Sequence, residues 1–115
     1  LQEGGAPLVF GSDAPIADAN PFRALAAAET RQNDADSPDS GFNPGHALTR
    51  AEALRAYTRT SAEVLGHRDL GVIRTGAVAD LLWVQAPIHT LTPAQLRTLK
   101  PGRLWVNGRE TGSAQ

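Results

Sequence analysis

The spacing of apolar residues changes near Gly71, and this change limits the folds open to the chain more than any other feature of its sequence. Upstream, positions from Leu54 to Leu65 recur at intervals of three and four residues behind a capping box at 49–52, which predicts an amphipathic helix. Downstream, short apolar runs separated by glycine are typical of strands. The sequence therefore predicts a mixed α/β chain.

Local signals predict the order of the elements. Asn20 can cap a helix that has Pro21 in its first position, and a helix start of the same kind opens at Thr92. The pair Asn107–Gly108 is the strongest short signal for a hairpin. The expected elements are a doubly buried strand at 8–11, helices at 21–31, 49–65 and 92–99, and strands at 72–73, 80–84 and 103–106.

Length and composition exclude several classes of protein. The 115 residues suffice for one small domain, whereas a complete (β/α)₈ barrel needs about 250. The start at Leu1 in a Gly-rich phrase, with no methionine in the chain, favours a piece of a longer protein. A net charge of −1 and singly spread arginines argue against a nucleic-acid partner. No apolar stretch approaches the about 20 residues that cross a membrane.

The absence of cysteine excludes a disulfide framework and a thiolate metal site. It leaves the compartment open between cytosol and periplasm, with the cytoplasm favoured. A polar segment at 32–45 is rich in turn-forming residues and predicts a long loop, either a lid over a site or a disordered segment.

Three phrases follow one another in a characteristic order: GSDAP at 11–15, ALTRAEALRAYT at 47–58 and GVIRTGAVADL at 71–81. Together they resemble the C-terminal third of the metal-dependent amidohydrolase superfamily, in the branch that includes N-substituted formamide deformylases. The third phrase departs from the family pattern, in which glycine and lysine follow the isoleucine turn, because Ala77 follows Gly76 here. That departure lies outside the segment that carries the chemistry.

The resemblance implies a fold and an activity. Residues 1–70 would supply the last strand of a TIM barrel with its following helices, and residues 71–115 would form part of a small β-sandwich. Trp83 and Trp105, each in a predicted sandwich strand, are assigned to packing. The parent protein would hydrolyse non-peptide carbon–nitrogen bonds in small molecules such as amides or formamides, with a bound divalent metal, zinc being preferred.

Asp13 is the candidate catalytic residue. It follows the apolar run at 8–10, and catalytic groups of TIM barrels lie at the C-terminal ends of the strands. The resemblance implies that its carboxylate takes a proton from the attacking water, and that it could also be a metal ligand. The simpler interpretation is an aspartate that caps a turn.

Arg31 and the histidines are the remaining candidates. Arg31, at the predicted end of the first helix, could bind a substrate carboxylate, or could be an exposed arginine favoured by the helix dipole. His46, His67 and His89 are far apart, lack the spacing of a zinc site and are predicted at the surface. The His-x-His ligand pair of the family is absent from the sequence. The chain by itself is therefore expected to bind no metal and to be inactive.

Two alternatives to an active hydrolase stay open. The chain could be a non-catalytic module that associates with another copy or a partner through an unpaired strand edge at 8–10. It could also derive from a degenerate amidohydrolase that has lost its upstream metal ligands.

Overall fold

A computed structural model describes residues 4–113, so that residues 1–3, with the Leu1 start noted above, and residues 114–115 lie outside the described part. Its elements, in chain order, are α1 (Pro21–Thr30), a short 3₁₀ turn (Pro44–His46), α2 (Arg50–Tyr57), α3 (Arg59–Val64), β1 (Leu81–Trp83), α4 (Pro93–Arg97), β2 (Arg103–Val106) and β3 (Arg109–Ser113). No helix in this part of the chain is long and apolar enough to cross a membrane.

Two compact units make up the chain. The helical unit comprises Gly11–Leu54 and Pro87–Leu99, and the sheet unit contains the described residues of Leu1–Phe10, Arg55–Ala86 and Lys100–Gln115. The boundary between them falls within α2. The expected division of the parent protein into domains at 1–70 and 71–115 stays a prediction.

Local capping determines where the helices of the helical unit begin. The Asn20 side chain accepts a hydrogen bond from the Phe22 amide at 3.0 Å, and Pro21 occupies the first helical position, as predicted. The capping boxes form at both predicted positions, at 49–52 before α2 and at 92–95 before α4. These three predicted helix starts are confirmed. Each depends only on residues within four positions of one another, which is why the sequence was able to predict it.

The core of the helical unit lies between α1 and α4, which pack against each other. α1 buries Phe22, Leu25 and Ala26, and α4 buries Leu96. Removing each leucine side chain from water is worth about 1.5–3 kcal/mol. This small apolar core therefore holds the two helices in place.

The predicted helix at 49–65 is wrong as a single element, because it breaks at Thr58 into α2 and α3. Gly71 has a φ of 68° and lies so close to Thr58 that an added Cβ would be 2.6 Å from the Thr58 carbonyl carbon. The buried positions of this segment are alanines, Ala53, Ala56 and Ala62, whereas Leu65 is exposed. Tertiary packing thus buries these alanines and not the apolar stripe that the spacing of residues predicted.

The sheet is antiparallel, in the order β1-β2-β3. Leu82 lies opposite Leu104, and a bulge between Leu104 and Trp105 interrupts the pairing of β2 with β3. The predicted hairpin at Asn107 and Gly108 forms, with φ angles of 50° and 75°. Because side chains alternate along a strand, Leu82, Leu104 and Val106 share one face, and all three are exposed.

Two predicted strands do not form within the described residues. The segment at 8–11 is not part of a sheet, and Phe10 donates its amide to the Ala56 carbonyl at 3.2 Å while its ring packs edge-on against Tyr57 at 5.3 Å. The segment at 72–73 is also irregular, with Ile73 almost fully exposed. A strand needs a neighbouring strand to pair with, and neither segment has one in the described chain.

The packing expected of the two tryptophans holds only in part. The Trp83 ring lies against Gly102, where an added Cβ would come within 2.6 Å of it, yet half of this residue is exposed. Trp105 is half-buried beneath the Arg103 guanidinium, whose carbon lies 4.9 Å from the ring centroid. The assignment of the chain to a TIM barrel and a β-sandwich stays a prediction.

Candidate functional site

Asp13 lies in an exposed turn of the helical unit, three residues after Phe10 in the sequence. Its backbone is left-handed, with a φ of 52°, which aspartate tolerates better than most residues. The backbone carbonyl of Asp13, and not its side chain, accepts the turn hydrogen bond from the Ile16 amide at 2.9 Å. Within the described residues its carboxylate forms no ion pair, and the residue is exposed to solvent.

Arg31 performs a structural task that the sequence did not predict. It ends α1 in a left-handed conformation, with a φ of 57°, and its amide donates to Ala27. Its carbonyl accepts from the Phe42 amide at 2.8 Å, while its Nε donates to the Phe42 carbonyl at 3.1 Å. No hydrogen bond or ion pair between described residues joins Arg31 to Asp13. The two candidate residues are therefore not bonded to each other in the described part of the chain.

Residues 31–42 form a closed loop, which we call the Ω loop. The Gln32 side chain spans it by donating to the carbonyls of Asp36 and Asp39, both at 3.1 Å. The Asn33 side chain accepts from the amides of Ala35 and Ser37. This internal hydrogen bonding favours an ordered loop over the disordered alternative for this part of the polar segment.

Gly41 explains how the Ω loop closes so tightly. Its φ is 73°, and a Cβ built on it would lie 2.3 Å from the Thr30 carbonyl oxygen. Only glycine permits both this conformation and this approach. The two ends of the loop can therefore meet, and the sequence signal for this was a glycine at the far end of a turn-rich segment.

Arg23 on α1 contacts two carboxylates. Its NH1 lies 2.7 Å from Asp18 and its NH2 lies 3.0 Å from Asp34. The Asn20 amide, followed by Arg23, lowers the pKa of Asp18 below its ordinary value, and the hydrogen bond to Asp18, followed by the charge of Asp34, raises the pKa of Arg23. No local pattern indicated this cluster, because its members are separated by up to 16 positions and follow no known motif.

Arg97 on α4 holds the opposite side of the Ω loop. Its guanidinium pairs with Asp36 and donates to the Thr30 hydroxyl at 3.3 Å. The Arg97 side chain is 9% exposed, whereas that of Asp36 is 64% exposed. A mostly buried cation thus has its counter-ion on the loop.

Arg50 on α2 joins three segments of the helical unit. Its guanidinium forms a two-pronged ion pair with Glu29 of α1 and donates to the carbonyls of Ile88 and Leu91. The paired side chains of Arg50 and Glu29 are 12% and 15% exposed. We interpret this pair as structural, because both side chains are mostly buried and the guanidinium donates to Glu29 and to two backbone carbonyls.

The described residues do not fit a metal centre. They contain no group of three or more histidine, cysteine, aspartate or glutamate side chains that could hold an ion. His46, His67 and His89 are all exposed, as predicted. Asp13 could contribute one ligand, but the further ligands would have to come from elsewhere.

Comparison with known proteins identifies relatives along almost the whole chain. The model of a family described as "Amidohydrolase family" matches residues 1–111. YtcJ of Bacillus subtilis, whose name assigns it to the amidohydrolases, is 29% identical over 100 residues. An imidazolonepropionase of Pseudoalteromonas atlantica is 42% identical over 65 residues, and an imidazolonepropionase of Haloarcula marismortui is 37% identical over 99 residues.

The shared segments are short relative to these relatives. They cover 86%, 55% and 77% of this chain, but only 19%, 16% and 24% of YtcJ and the two imidazolonepropionases, respectively. The chain thus spans less than a quarter of the length of each. No solved structure matches the chain significantly.

Proposed function

Because this chain belongs to the amidohydrolase family, we propose that it is part of a hydrolase that cleaves non-peptide carbon–nitrogen bonds in small molecules, such as amides or formamides. The family match across residues 1–111 carries this proposal. The relatives named as amidohydrolase and imidazolonepropionase support it. We further propose a place in the branch of the N-substituted formamide deformylases, on the three phrases at 11–15, 47–58 and 71–81.

The fold that we propose for the parent protein follows the same resemblance. Residues 1–70 would complete a TIM barrel, and residues 71–115 would form part of a β-sandwich. Two features of the chain support this proposal. The segment at 8–10 has no strand partner among the described residues, and one face of the sheet exposes three aliphatic side chains. Both the unpaired segment and the exposed sheet face would suit packing against other parts of the parent protein.

In the proposed reaction, the Asp13 carboxylate accepts a proton from water as the water oxygen attacks the carbonyl carbon. Asp13 then gives this proton to the nitrogen, and the carbon–nitrogen bond breaks, which releases an amine and a carboxylic acid and returns Asp13 to its carboxylate form. The exposed position of Asp13 and the lack of an ion pair to it within the described residues support this role. Arg31 as a binder of a substrate carboxylate stays a weaker proposal, because its Nε already holds Phe42.

A divalent metal, with zinc preferred, stays a proposal for the parent protein. The described residues do not form its site, and no step above depends on it. Asp13 would be one ligand at most.

The test compares Asp13→Asn with Asp39→Asn in the parent protein. Both residues are exposed aspartates, and neither side chain forms an ion pair within residues 4–113. Hydrolysis of a simple N-substituted formamide is measured with zinc added. We expect Asp13→Asn to lower kcat by about 10²- to 10⁴-fold and Asp39→Asn to leave it unchanged.

Two other outcomes would count against the proposal. Equal activity of the Asp13→Asn variant and the wild type would exclude Asp13 as the base. A folded wild-type protein that hydrolyses no member of an amide and formamide panel would favour the degenerate amidohydrolase.

A second candidate function is self-association, favoured by the exposed aliphatic face of Leu82, Leu104 and Val106. Sedimentation velocity of the chain tests it, with Leu104→Glu as the variant that should disrupt association. A monomer at every concentration would exclude self-association through this face and would also count against the association through residues 8–10 that the sequence suggested.

A further inference from the structure

Arg23 is the one residue of α1 whose side chain forms ion pairs with two loops of the helical unit, within the described chain. Asp18, its first partner, belongs to the segment 12–19 that carries Asp13, which we call the Asp13 loop. Asp34, its second partner, belongs to the Ω loop. The two loops that precede and follow α1 are thus joined through a single guanidinium.

The chemistry of the bridge requires arginine. A guanidinium presents its donors in a rigid planar fork, so NH1 can hold Asp18 at 2.7 Å while NH2 holds Asp34 at 3.0 Å. A lysine ammonium in this place would be a point charge on a flexible stem, without two donors at fixed separation. The position therefore uses a property that only arginine supplies.

The Asp18 end of the bridge is itself held by the start of α1. The second carboxylate oxygen of Asp18 accepts from the Asn20 amide at 2.9 Å, and Asn20 caps the helix through Phe22. Asp18 cannot move without disturbing this start. A displacement of the Ω loop would thus be transmitted through Arg23 to the backbone of the Asp13 loop.

We propose that Arg23 is a positioning residue that couples the Ω loop to the Asp13 loop and thereby holds Asp13 in place for the reaction. The proposal rests on the proposed function for the role of Asp13, whereas the coupling of the two loops rests on the contacts alone. Arg97 differs from Arg23, because it pairs with Asp36 of the Ω loop and forms no hydrogen bond or ion pair with the Asp13 loop in the described chain.

Hydrogen exchange of the parent protein tests the coupling. The reporting amides are those of Ile16 and Asn20 in and beside the Asp13 loop, and of Asp36, Gly41 and Phe42 in the Ω loop. Three variants are compared: Arg23→Gln, Arg97→Gln and, as the matched control, Arg59→Gln. Arg59 is a comparably exposed arginine that pairs with Glu63 in the sheet unit.

We expect Arg23→Gln to raise exchange about threefold in both loops, because its ion pairs are partly exposed and each contributes modestly. Arg97→Gln should raise exchange in the Ω loop alone, and Arg59→Gln in neither loop. Exchange that rises in only one loop for Arg23→Gln, or in neither, would overturn the coupling.

Kinetics of the same variants test the role toward Asp13. Arg23→Gln should lower kcat about threefold with KM unchanged, and Arg23→Lys should not restore kcat, because it restores the charge without the fork. An unchanged kcat, or full recovery by Arg23→Lys, would overturn the positioning role. Failure of the proposed function is seen separately, as an Asp13→Asn variant with wild-type activity, and would leave the exchange result interpretable.

Discussion

Helices α1 and α4 of the helical unit bury their large apolar residues, whereas the sheet of the other unit leaves those on one face exposed. Leu25 and Leu96 of the helical unit are 1% and 0% exposed, but Leu82, Leu104 and Val106 on one face of the sheet are 43–47% exposed. A helix pair can cover both of its apolar stripes, while a single sheet needs a second layer on its apolar face. The contrast indicates that, among the described residues, one apolar face of the sheet is left uncovered, whereas the apolar stripes of α1 and α4 are covered.

The charged residues show the same contrast. The Arg50–Glu29 pair of the helical unit is 12% and 15% exposed, and Arg50 also donates to two backbone carbonyls. The Arg103–Glu110 pair of the sheet unit is 52% and 36% exposed. Buried pairs are costly to break, whereas exposed pairs are screened by water. The Arg50–Glu29 pair should therefore contribute more to the structure of its unit than the Arg103–Glu110 pair does to the structure of the sheet unit.

The largest expected effect is that of Arg50→Gln. Loss of the cation leaves the Glu29 carboxylate buried without its partner, and we expect the free energy of unfolding to fall by about 4 kcal/mol. The matched variant Arg103→Gln should cost only a small fraction of that, because its partner stays in contact with solvent. Urea unfolding of both variants measures the difference, and similar losses would remove the contrast between the units.

A somewhat smaller effect is expected from truncation of leucines. In the chain by itself, Leu96→Ala should cost about 3 kcal/mol and Leu104→Ala about 1 kcal/mol, because only the first side chain is fully buried. In the parent protein we expect the cost of Leu104→Ala to approach that of Leu96→Ala, since the proposed sandwich would cover this face. A cost that stays low in the parent protein would contradict the sandwich.

The smallest expected effect is a pH dependence in the sheet unit. The hydrogen bond from Arg103 lowers the pKa of Glu110 below its ordinary value of 4.5. A carboxyl with a lowered pKa in the folded chain stabilises the fold above its unfolded value, and this contribution is lost as the pH falls through the folded pKa. Glu110→Gln should therefore be less stable than the wild type at pH 7. The two proteins should converge below pH 4.5, and a constant difference down to pH 3 would assign the effect to packing.

Much of the secondary structure was predictable. The starts of α1, α2 and α4 and the hairpin at Asn107 and Gly108 form where the sequence predicts them. The strands at 8–11 and 72–73 were not correctly predicted, because an apolar run shows that a segment suits a strand but not whether a neighbour is present. The candidate site was predictable only as the single residue Asp13, whose role stays a proposal.

The sequence by itself determined the features that depend on residues close together in the chain. A capping side chain reaches an amide two or three positions away, and an Asn-Gly pair favours the positive φ angles of its own hairpin turn. Tertiary structure decided the break at Thr58, the closure of the Ω loop and the bridge at Arg23. It also decided the pairing of Arg97 with Asp36, which are 61 positions apart. Such contacts depend on where packed helices place their side chains, and no local pattern records that position.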